Sequence, residues 1–300
     1  MDPIDNISFC AQLAAVLEVS AEKPGNVTPS HNFKDTSYEH FLAGGIALGP
    51  AIRSAASSGF KGKPEIGKNI LKAVSDVKRS HSGGNTHLGI AMLMVPVAAG
   101  AGMCVAENKK INLKRLQSKT KKIVESTAVE DSLHLYDAIN LANAGGLGKP
   151  HEFDLLDENS KQKLITENVT LNDIMKISAG RDLIAEELAY GMEITFSNAK
   201  VLSGIYRETG DIGGAITGTY LAVLSQHPDT LIARKVGIER AEEISKRAEK
   251  IICLEQEEYN GALKKFDAEL RSQENKLNPG TTADIVACSL FLALLEGIEL

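Results

Sequence analysis

The stretch that decides the fold of this chain is Ser82–Ala106, SGGNTHLGIAMLMVPVAAGAGMCVA. It begins as a polar glycine turn, and from Leu88 onward it carries no charged residue. A helix that starts at Asn85 or Thr86 would bury its body and leave the free N–H groups of its first turn at the end of a pocket, with His87 just inside. This arrangement suits an anionic ligand, and it equally suits a buried helix with a good cap.

The apolar part of this stretch has about the length of a membrane span. Pro96 would interrupt such a span, glycines and alanines make it weakly hydrophobic, and the sequence contains no second span. We therefore predict a central helix buried inside the protein, with small residues that let its neighbours approach closely. No membrane partner is expected.

Composition restricts the class of partner. The net charge of −6 and the pI of about 5.7 argue against a general nucleic-acid partner, and the basic cluster at 107–122 has the pattern of a solvated face. The four cysteines are far apart and form no CxxC pair, which predicts free thiols in a reducing compartment rather than a zinc or redox motif. Because the acidic N-terminal segment lacks a signal-peptide pattern, we expect a cytoplasmic protein.

Apolar residues recur at helical spacing along the chain, and the alternation typical of strands does not occur. The sequence predicts one all-α domain over residues 1–300, a multi-helix bundle around the central apolar helix. Residues 149–170 are expected to form a polar connection, and the glycines of 145–148 to stop the helix before it. The predicted helices cover residues 7–17, 38–59, 64–79, 85–106, 113–126, 130–143, 171–206, 211–224, 228–234, 238–252, 255–271 and 279–295.

Short polar motifs stand at the predicted helix starts and loop joints, each beside glycine or proline. Asp182, Glu186 and Glu193 have the spacing of one helix face. Carboxylates that converge in a helical bundle would form a Mg²⁺ site, because Mg²⁺ takes oxygen ligands and bridges to phosphates. A plainer role is open to Asp131 and Asp284, because the macrodipole favours a carboxylate in a first helical turn. The sequence has no GxSxG, HExxH, P-loop or GxGxxG motif, so neither a nucleophile triad nor a standard dinucleotide fold is supported.

Seven motifs in order resemble the triphosphoribosyl-dephospho-CoA synthase family, whose members are all-α enzymes. The resemblance runs from about residue 8 to residue 298. The motifs are Glu18-Val19-Ser20-Ala21 with Lys23-Pro24-Gly25; Gly83-Gly84-Asn85-Thr86-His87 with Gly89; Asp131, Tyr136, Ala138 and Ile139; Gly145-Gly146-Leu147-Gly148; Arg181-Asp182-Leu183-Ile184-Ala185; Asp229-Thr230 with Gly237; and Pro279-Gly280-Thr281-Thr282-Ala283-Asp284.

The resemblance implies a reaction in which a ribose hydroxyl of dephospho-CoA attacks the anomeric carbon of ATP, adenine leaves, and the triphosphate stays on the transferred sugar. Such chemistry needs a carboxylate near an oxocarbenium-like centre, cations and helix N-termini for phosphate, and a proton donor for adenine. His87 is the leading candidate for proton transfer, with Asp131 and Asp182 as further catalytic candidates. Candidate nucleotide- and phosphate-binding residues are Lys23, Gly25, Asn26, Gly83, Gly84, Asn85, Thr86, Arg234, Lys235, Thr281 and Thr282. Candidate Mg²⁺ ligands are Asp35, Asp182, Glu186 and Asp284.

The chain departs from the family pattern in two places. The bacterial relatives carry His-x-Asp-Met after the Lys-Pro-Gly loop, whereas here Phe33 stands where that histidine would fall and Thr36 follows Asp35. His31 is the available substitute. The bacterial Gly-Gly-Val-Asn-Thr-His-Lys-Gly becomes Gly-Gly-Asn-Thr-His-Leu-Gly, so that Leu88 replaces a lysine. Loss of that cation would weaken triphosphate binding by about 1.5–3 kcal/mol.

Three other functions stay open on the sequence. The same fold could transfer a phosphoribosyl group to another cofactor precursor, for example in the synthesis of a pterin-type C1 carrier. A Mg²⁺-dependent hydrolase of nucleotides or of ADP-ribose-like glycosides would use the same carboxylates, and a non-catalytic scaffold needs none of them. The catalytic hypotheses share one requirement, the convergence on one pocket of Asn85, His87, Asp131, Asp182 and Asp284. The sequence is also compatible with a homo-oligomer.

Overall fold

The computed structural model describes residues 1–108, 110–142 and 159–300. All regular structure in these ranges is helical apart from an isolated antiparallel bridge between Thr28 and His31. The helices are α1 (Pro3–Ser20), α2 (Tyr38–Ala47), α3 (Gly49–Phe60), α4 (Ile66–Ser80), α5 (Leu88–Ala106), α6 (Leu113–Glu125), α7 (Val129–Ala142), α8 (Asn159–Thr166), α9 (Leu171–Ser178), α10 (Leu183–Tyr190), α11 (Glu193–Thr209), α12 (Ile212–Gln226), α13 (Thr230–Val236), α14 (Ile238–Ile252), α15 (Gln256–Arg271) and α16 (Gly280–Glu296).

Helix α5 is the predicted central helix, and α1, α3, α4, α6 and α16 pack around it. By length and composition it could cross a membrane, but 83% of its apolar window is buried inside the protein. Glycines bring it close to α3, since a Cβ on Gly59 would lie 2.0 Å from the carbonyl oxygen of Ala99, and one on Gly102 would lie 2.0 Å from that of Ala56. The charge-free sequence is therefore explained by close packing in a protein core.

The central helix begins later than predicted. His87 has φ −138° and is the N-cap residue, so the first helical residue is Leu88 rather than Asn85 or Thr86. The side chain of Asn85 accepts a hydrogen bond from the N–H of Leu88 at 3.2 Å. The polar residues of the glycine turn thus lie in front of the helix, where they can face a ligand.

Two predicted helices are divided in the structure. The helix expected over 38–59 is split into α2 and α3, because Pro50 lacks an N–H, has a fixed φ and starts a new helix. The stretch 171–206 is divided into α9, α10 and α11. Gly191 (φ +99°) and Met192 (φ +60°) end α10 with left-handed backbone, which a continuous helix cannot contain.

The division of 171–206 corrects one site argument. Asp182 is the N-cap of α10, Glu186 lies within α10 and Glu193 begins α11. The three carboxylates therefore do not share one helix face. The predicted polar connection at 149–170 contains α8, while the glycine motif at 145–148 lies outside the described residues.

Candidate functional site

A cavity of about 300 Å³ opens where the first turns of α5, α10 and α16 approach the C-terminal end of α1. Part of its lining, called here the polar wall, consists of Glu18, Asn26, Asn85, Thr86, Arg181, Asp182, Arg234, Asn278, Thr281 and Asp284. The apolar wall comes from α7 and α9 and consists of Leu135, Tyr136, Ile139, Ile174, Met175 and Ile177. The cavity thus combines a surface suited to a flat ring with helix N-termini suited to an anion.

Asp182 caps α10 and orients a cation at the cavity. Its Oδ1 accepts hydrogen bonds from the N–H groups of Ile184 at 2.8 Å and Ala185 at 3.1 Å, and its Oδ2 forms an ion pair with Arg234. The Nε of Arg234 is buried without a hydrogen-bond partner among the described residues. Arg234 therefore reaches the cavity already oriented by Asp182.

Asp284 lies near the start of α16 against the backbone of Gly89 in α5. A Cβ at position 89 would lie 2.0 Å from Oδ2 of Asp284, so glycine is required for this approach. Burial, and then repulsion from the carboxylates of Glu18 and Asp229, raises the pKa of Asp284 well above its usual range. Among the described residues no group donates a hydrogen bond to Asp284, which leaves its carboxyl group available to a ligand.

Lys23 secures the end of α1 and does not line the cavity. It is 2% exposed, and its ammonium donates hydrogen bonds to the carbonyls of Glu18 and, at 3.1 Å, of Ala21. The ammonium also lies 3.2 Å from Oε1 of Glu18. Burial raises the pKa of Glu18, and the charge of Lys23 offsets part of that shift. The residue of this motif that reaches the cavity is the carboxylate and not the cation.

His87 lies outside the cavity lining and contacts it through Thr86. The hydroxyl oxygen of Thr86 is 2.6 Å from Nδ1 of His87 and 3.1 Å from Nε2 of His81. Nε2 of His87 is buried with no hydrogen-bond partner among the described residues. Burial, and to a smaller extent His81, lowers the pKa of His87 to about 3, so the imidazole is neutral at pH 7.

Several predicted site residues instead join helices to one another. Asp131 accepts hydrogen bonds from the N–H groups of Gly67 at 2.8 Å and Ala128 at 2.9 Å, which ties α7 to α4. Thr282 donates its N–H and its hydroxyl to Asp229, each at 2.8 Å, which ties α16 to α13. The other predicted residues outside the lining are Lys23, Gly25, Gly83, Gly84, Lys235, Asp35 and Glu186.

Convergence of the five key residues is partial. Asn85, Asp182 and Asp284 line the cavity, His87 adjoins it, and Asp131 lies elsewhere. Within residues 1–108, 110–142 and 159–300, no group of three or more His, Cys, Asp or Glu side chains is placed to hold a metal ion. The catalytic roles and the Mg²⁺ site stay predictions.

Sequence reasoning assigned no role to several residues of the lining. Glu18, Tyr136 and Arg181 stand inside motifs that carry the family resemblance, and that position was the signal that could have selected them. Phe41 and Asn278 stand outside those motifs and are found only from the fold. The guanidinium of Arg181 is exposed and forms no ion pair with any described residue, so it adds a free cation to the polar wall.

An all-α bundle with an apolar wall, two arginines and three helix N-termini around one cavity defines a class of protein that handles nucleotides or similar phosphate esters. A family model for the ATP:dephospho-CoA triphosphoribosyl transferases matches residues 4–299, and the chain belongs to that family. A solved structure from Archaeoglobus fulgidus, assigned as a triphosphoribosyl-dephospho-CoA synthase, is 28% identical with a TM-score of 0.65. The match covers 85% of this chain and 99% of that one. No curated protein matches the sequence at comparable significance.

Proposed function

We propose that this chain transfers a triphosphoribosyl group from ATP to a ribose hydroxyl of dephospho-CoA and releases adenine. The observation that carries the proposal is that one cavity has two chemically different walls. The apolar wall suits a base, and on the polar wall Arg181 and Arg234 lie near the first turns of three helices. Family membership over nearly the whole chain supports the same reaction. Such a protein would act in the cytoplasm, where its nucleotide substrates are present.

The two walls of the cavity suggest which end of ATP binds where. Adenine would lie against Tyr136 and Phe41, because aromatic rings stack on a base. The phosphates would lie near Arg181 and Arg234, since guanidinium groups match phosphate oxygens in geometry and charge. The N–H groups at the start of α16, around Thr281, would add backbone donors.

The reaction breaks the bond between C1′ of the ribose and N9 of adenine and forms one between C1′ and the acceptor oxygen. The acceptor hydroxyl loses a proton and adenine gains one. The hydroxyl of Thr86 lines the cavity and contacts Nδ1 of His87, so the pair can relay the first proton, but a pKa of about 3 makes His87 too weak a base to hold that proton. The same low pKa argues against His87 as the donor to adenine.

Magnesium fits this cavity only together with a nucleotide. Mg²⁺ is usually bound by one or two carboxylates, several waters and substrate phosphates. Asp284, which has no hydrogen bond from a described residue, and Asp182 are the residues of the cavity that would hold it. Bound there, Mg²⁺ would neutralise phosphate charge, and no preformed cage is needed.

The test is incubation of the purified protein with ATP and Mg²⁺, with and without dephospho-CoA, followed by mass spectrometry. We expect free adenine and a pentose-phosphate adduct of dephospho-CoA in equal amounts. Adenine without any adduct would instead show a hydrolase. Turnover unchanged in His87→Ala would remove His87 from proton transfer.

A second acceptor is a specific alternative, because Leu88 lines the cavity at the position where bacterial relatives have lysine. With that cation replaced by an apolar side chain, the cavity favours a less charged substrate than the bacterial site does. A cell extract used as the source of acceptor tests this possibility. An adduct formed with an extract component, and none with dephospho-CoA, would identify a different cofactor precursor.

A further inference from the structure

The corner of the cavity formed by Glu18 and Asn26 offers hydrogen-bond acceptors and no donor. Glu18 is 4% exposed and lines the cavity. Its Oε1 lies 3.2 Å from the ammonium of Lys23 in an ion pair but accepts no hydrogen bond, because Lys23 donates to the backbone carbonyls of Glu18 and Ala21. The ion pair with Lys23 offsets only part of the cost of burying this carboxylate, so a hydrogen-bond donor on a ligand would be favoured at Oε1.

Asn26 adds an acceptor of fixed orientation. Its Nδ2 donates to the hydroxyl of Tyr220 at 2.8 Å, and that hydroxyl donates to the carbonyl of Pro24 at 2.8 Å. A flipped amide would place Oδ1 against an oxygen whose proton is already used. The amide donors of Asn26 therefore point away from the ligand, and Oδ1 is the atom left without a partner.

The acceptors of this corner must meet a group with two adjacent donors. The vicinal hydroxyls of a ribose satisfy this requirement, since each O–H rotates to donate. The Watson–Crick edge of adenine does not, because its N1 lone pair would face a carboxylate. The ionised phosphate oxygens carry no proton to donate to these acceptors, and the guanidinium groups that suit phosphate lie instead at Arg181 and Arg234.

We propose that Glu18 and Asn26 form a subsite that binds the 2′,3′-diol of the ribose transferred from ATP. This inference rests on the proposed function for the identity of the sugar. It gives Glu18 a direct contact with the substrate and leaves Lys23 as the residue that positions its carboxylate. It also fixes the direction of the nucleotide, with the diol at the end of α1 and the phosphates toward α10 and α13.

The test compares ATP with 2′-deoxy-ATP and 3′-deoxy-ATP in the wild type, in Glu18→Gln and in Asn26→Leu. In the wild type we expect kcat/KM for at least one deoxy analogue to be lower by about 10- to 100-fold, and in Glu18→Gln that preference should shrink to about threefold or less. Each ratio is measured within one preparation, so a reduced folded fraction does not change it. Glu187→Gln is the matched control, a buried carboxylate outside the cavity that accepts hydrogen bonds from Ile194 and Thr195.

Calorimetric binding of adenosine and its 2′- and 3′-deoxy forms separates this inference from the proposed function. Diol-dependent binding that Glu18→Gln abolishes supports the subsite even where ATP releases no adenine, and in that case only the transfer reaction fails. Full discrimination retained by both Glu18→Gln and Asn26→Leu overturns the subsite while the reaction stands. A wild type that does not distinguish adenosine from its deoxy forms also overturns it.

Discussion

The starts of α10 and α13 have the same local chemistry and different surroundings. Asp182 and Asp229 each cap a helix by accepting two backbone N–H bonds through Oδ1. The second oxygen of Asp182 pairs with Arg234 at the cavity, while that of Asp229 accepts two hydrogen bonds from Thr282 in a fully buried contact. The lesson is that the element packed over the second oxygen decides whether a capping aspartate can meet a ligand.

The largest expected effect is on stability and comes from Asp229→Asn. The amide can still cap α13, but its NH₂ group would face the N–H of Thr282, a donor against a donor in a buried position. We expect unfolding in urea to require about 2–4 kcal/mol less free energy than in the wild type. Activity per folded molecule should be unchanged, and a loss of turnover without loss of stability would contradict this.

The matched variant at the cavity is Asp182→Asn. Asparagine caps helices as well as aspartate does, so stability should change by less than about 1 kcal/mol. The charge that orients Arg234 is lost, and we expect kcat/KM for ATP to fall by about 10- to 100-fold. Equal losses of stability in Asp182→Asn and Asp229→Asn would show that the two helix starts do not differ as described.

His87 is a third polar side chain at a helix start, and its burial can be tested through the pH dependence of stability. Its folded-state pKa of about 3 lies below the usual value of 6.5, so the unfolded chain binds the extra proton. Stability therefore falls as the pH drops from 6.5 toward 3, by about 1.4 kcal/mol per pH unit from this group. Urea unfolding at pH 7, 6 and 5 should show a shallower dependence in His87→Gln, with the exposed His31→Gln as control. An unchanged slope in His87→Gln would refute the assignment.

The smallest expected effect is that of Leu88→Lys. The new ammonium would enter a cavity that holds the carboxylates of Asp182 and Asp284 and two arginines. We expect KM for ATP to fall by about 3- to 10-fold, less than the full value of a charge-assisted contact to phosphate, because the new ammonium is also attracted to the carboxylates of Asp182 and Asp284. Leu88→Met conserves volume without charge and should leave KM unchanged. A KM that rises in Leu88→Lys would indicate a donor with less phosphate charge.

The sequence predicts the fold well where the pattern is strong. The charge-free run of Leu88–Ala106 could only be a buried helix or a membrane span, and most of the other helices match the observed bounds to within about a turn. Prediction from the sequence fails at positions where the backbone can either continue a helix or break it. Pro50, Gly191 and Met192 divide helices whose apolar spacing continues across the break.

The site was less predictable for a different physical reason. A polar residue near proline or glycine has the same sequence signature whether it lines the cavity, as Asp182 does, or caps a helix inside the core, as Lys23 and Asp229 do. Only the packing of distant helices separates the two cases. Glu18 shows the converse, since it stands beside a cation that seemed the better phosphate ligand and is itself the group that lines the cavity.

The central claim is that the cavity around Asp284 and Gly89 is where ribose is transferred. It is tested most directly by product stoichiometry in the wild type and in Gly89→Ala, whose added methyl group would occupy the position of the Asp284 carboxylate. With ATP, Mg²⁺ and dephospho-CoA, we predict one adenine for each adduct in the wild type, and neither product from a Gly89→Ala protein that is folded by circular dichroism. Full adduct formation by folded Gly89→Ala, or wild-type protein that yields neither product, would contradict the account.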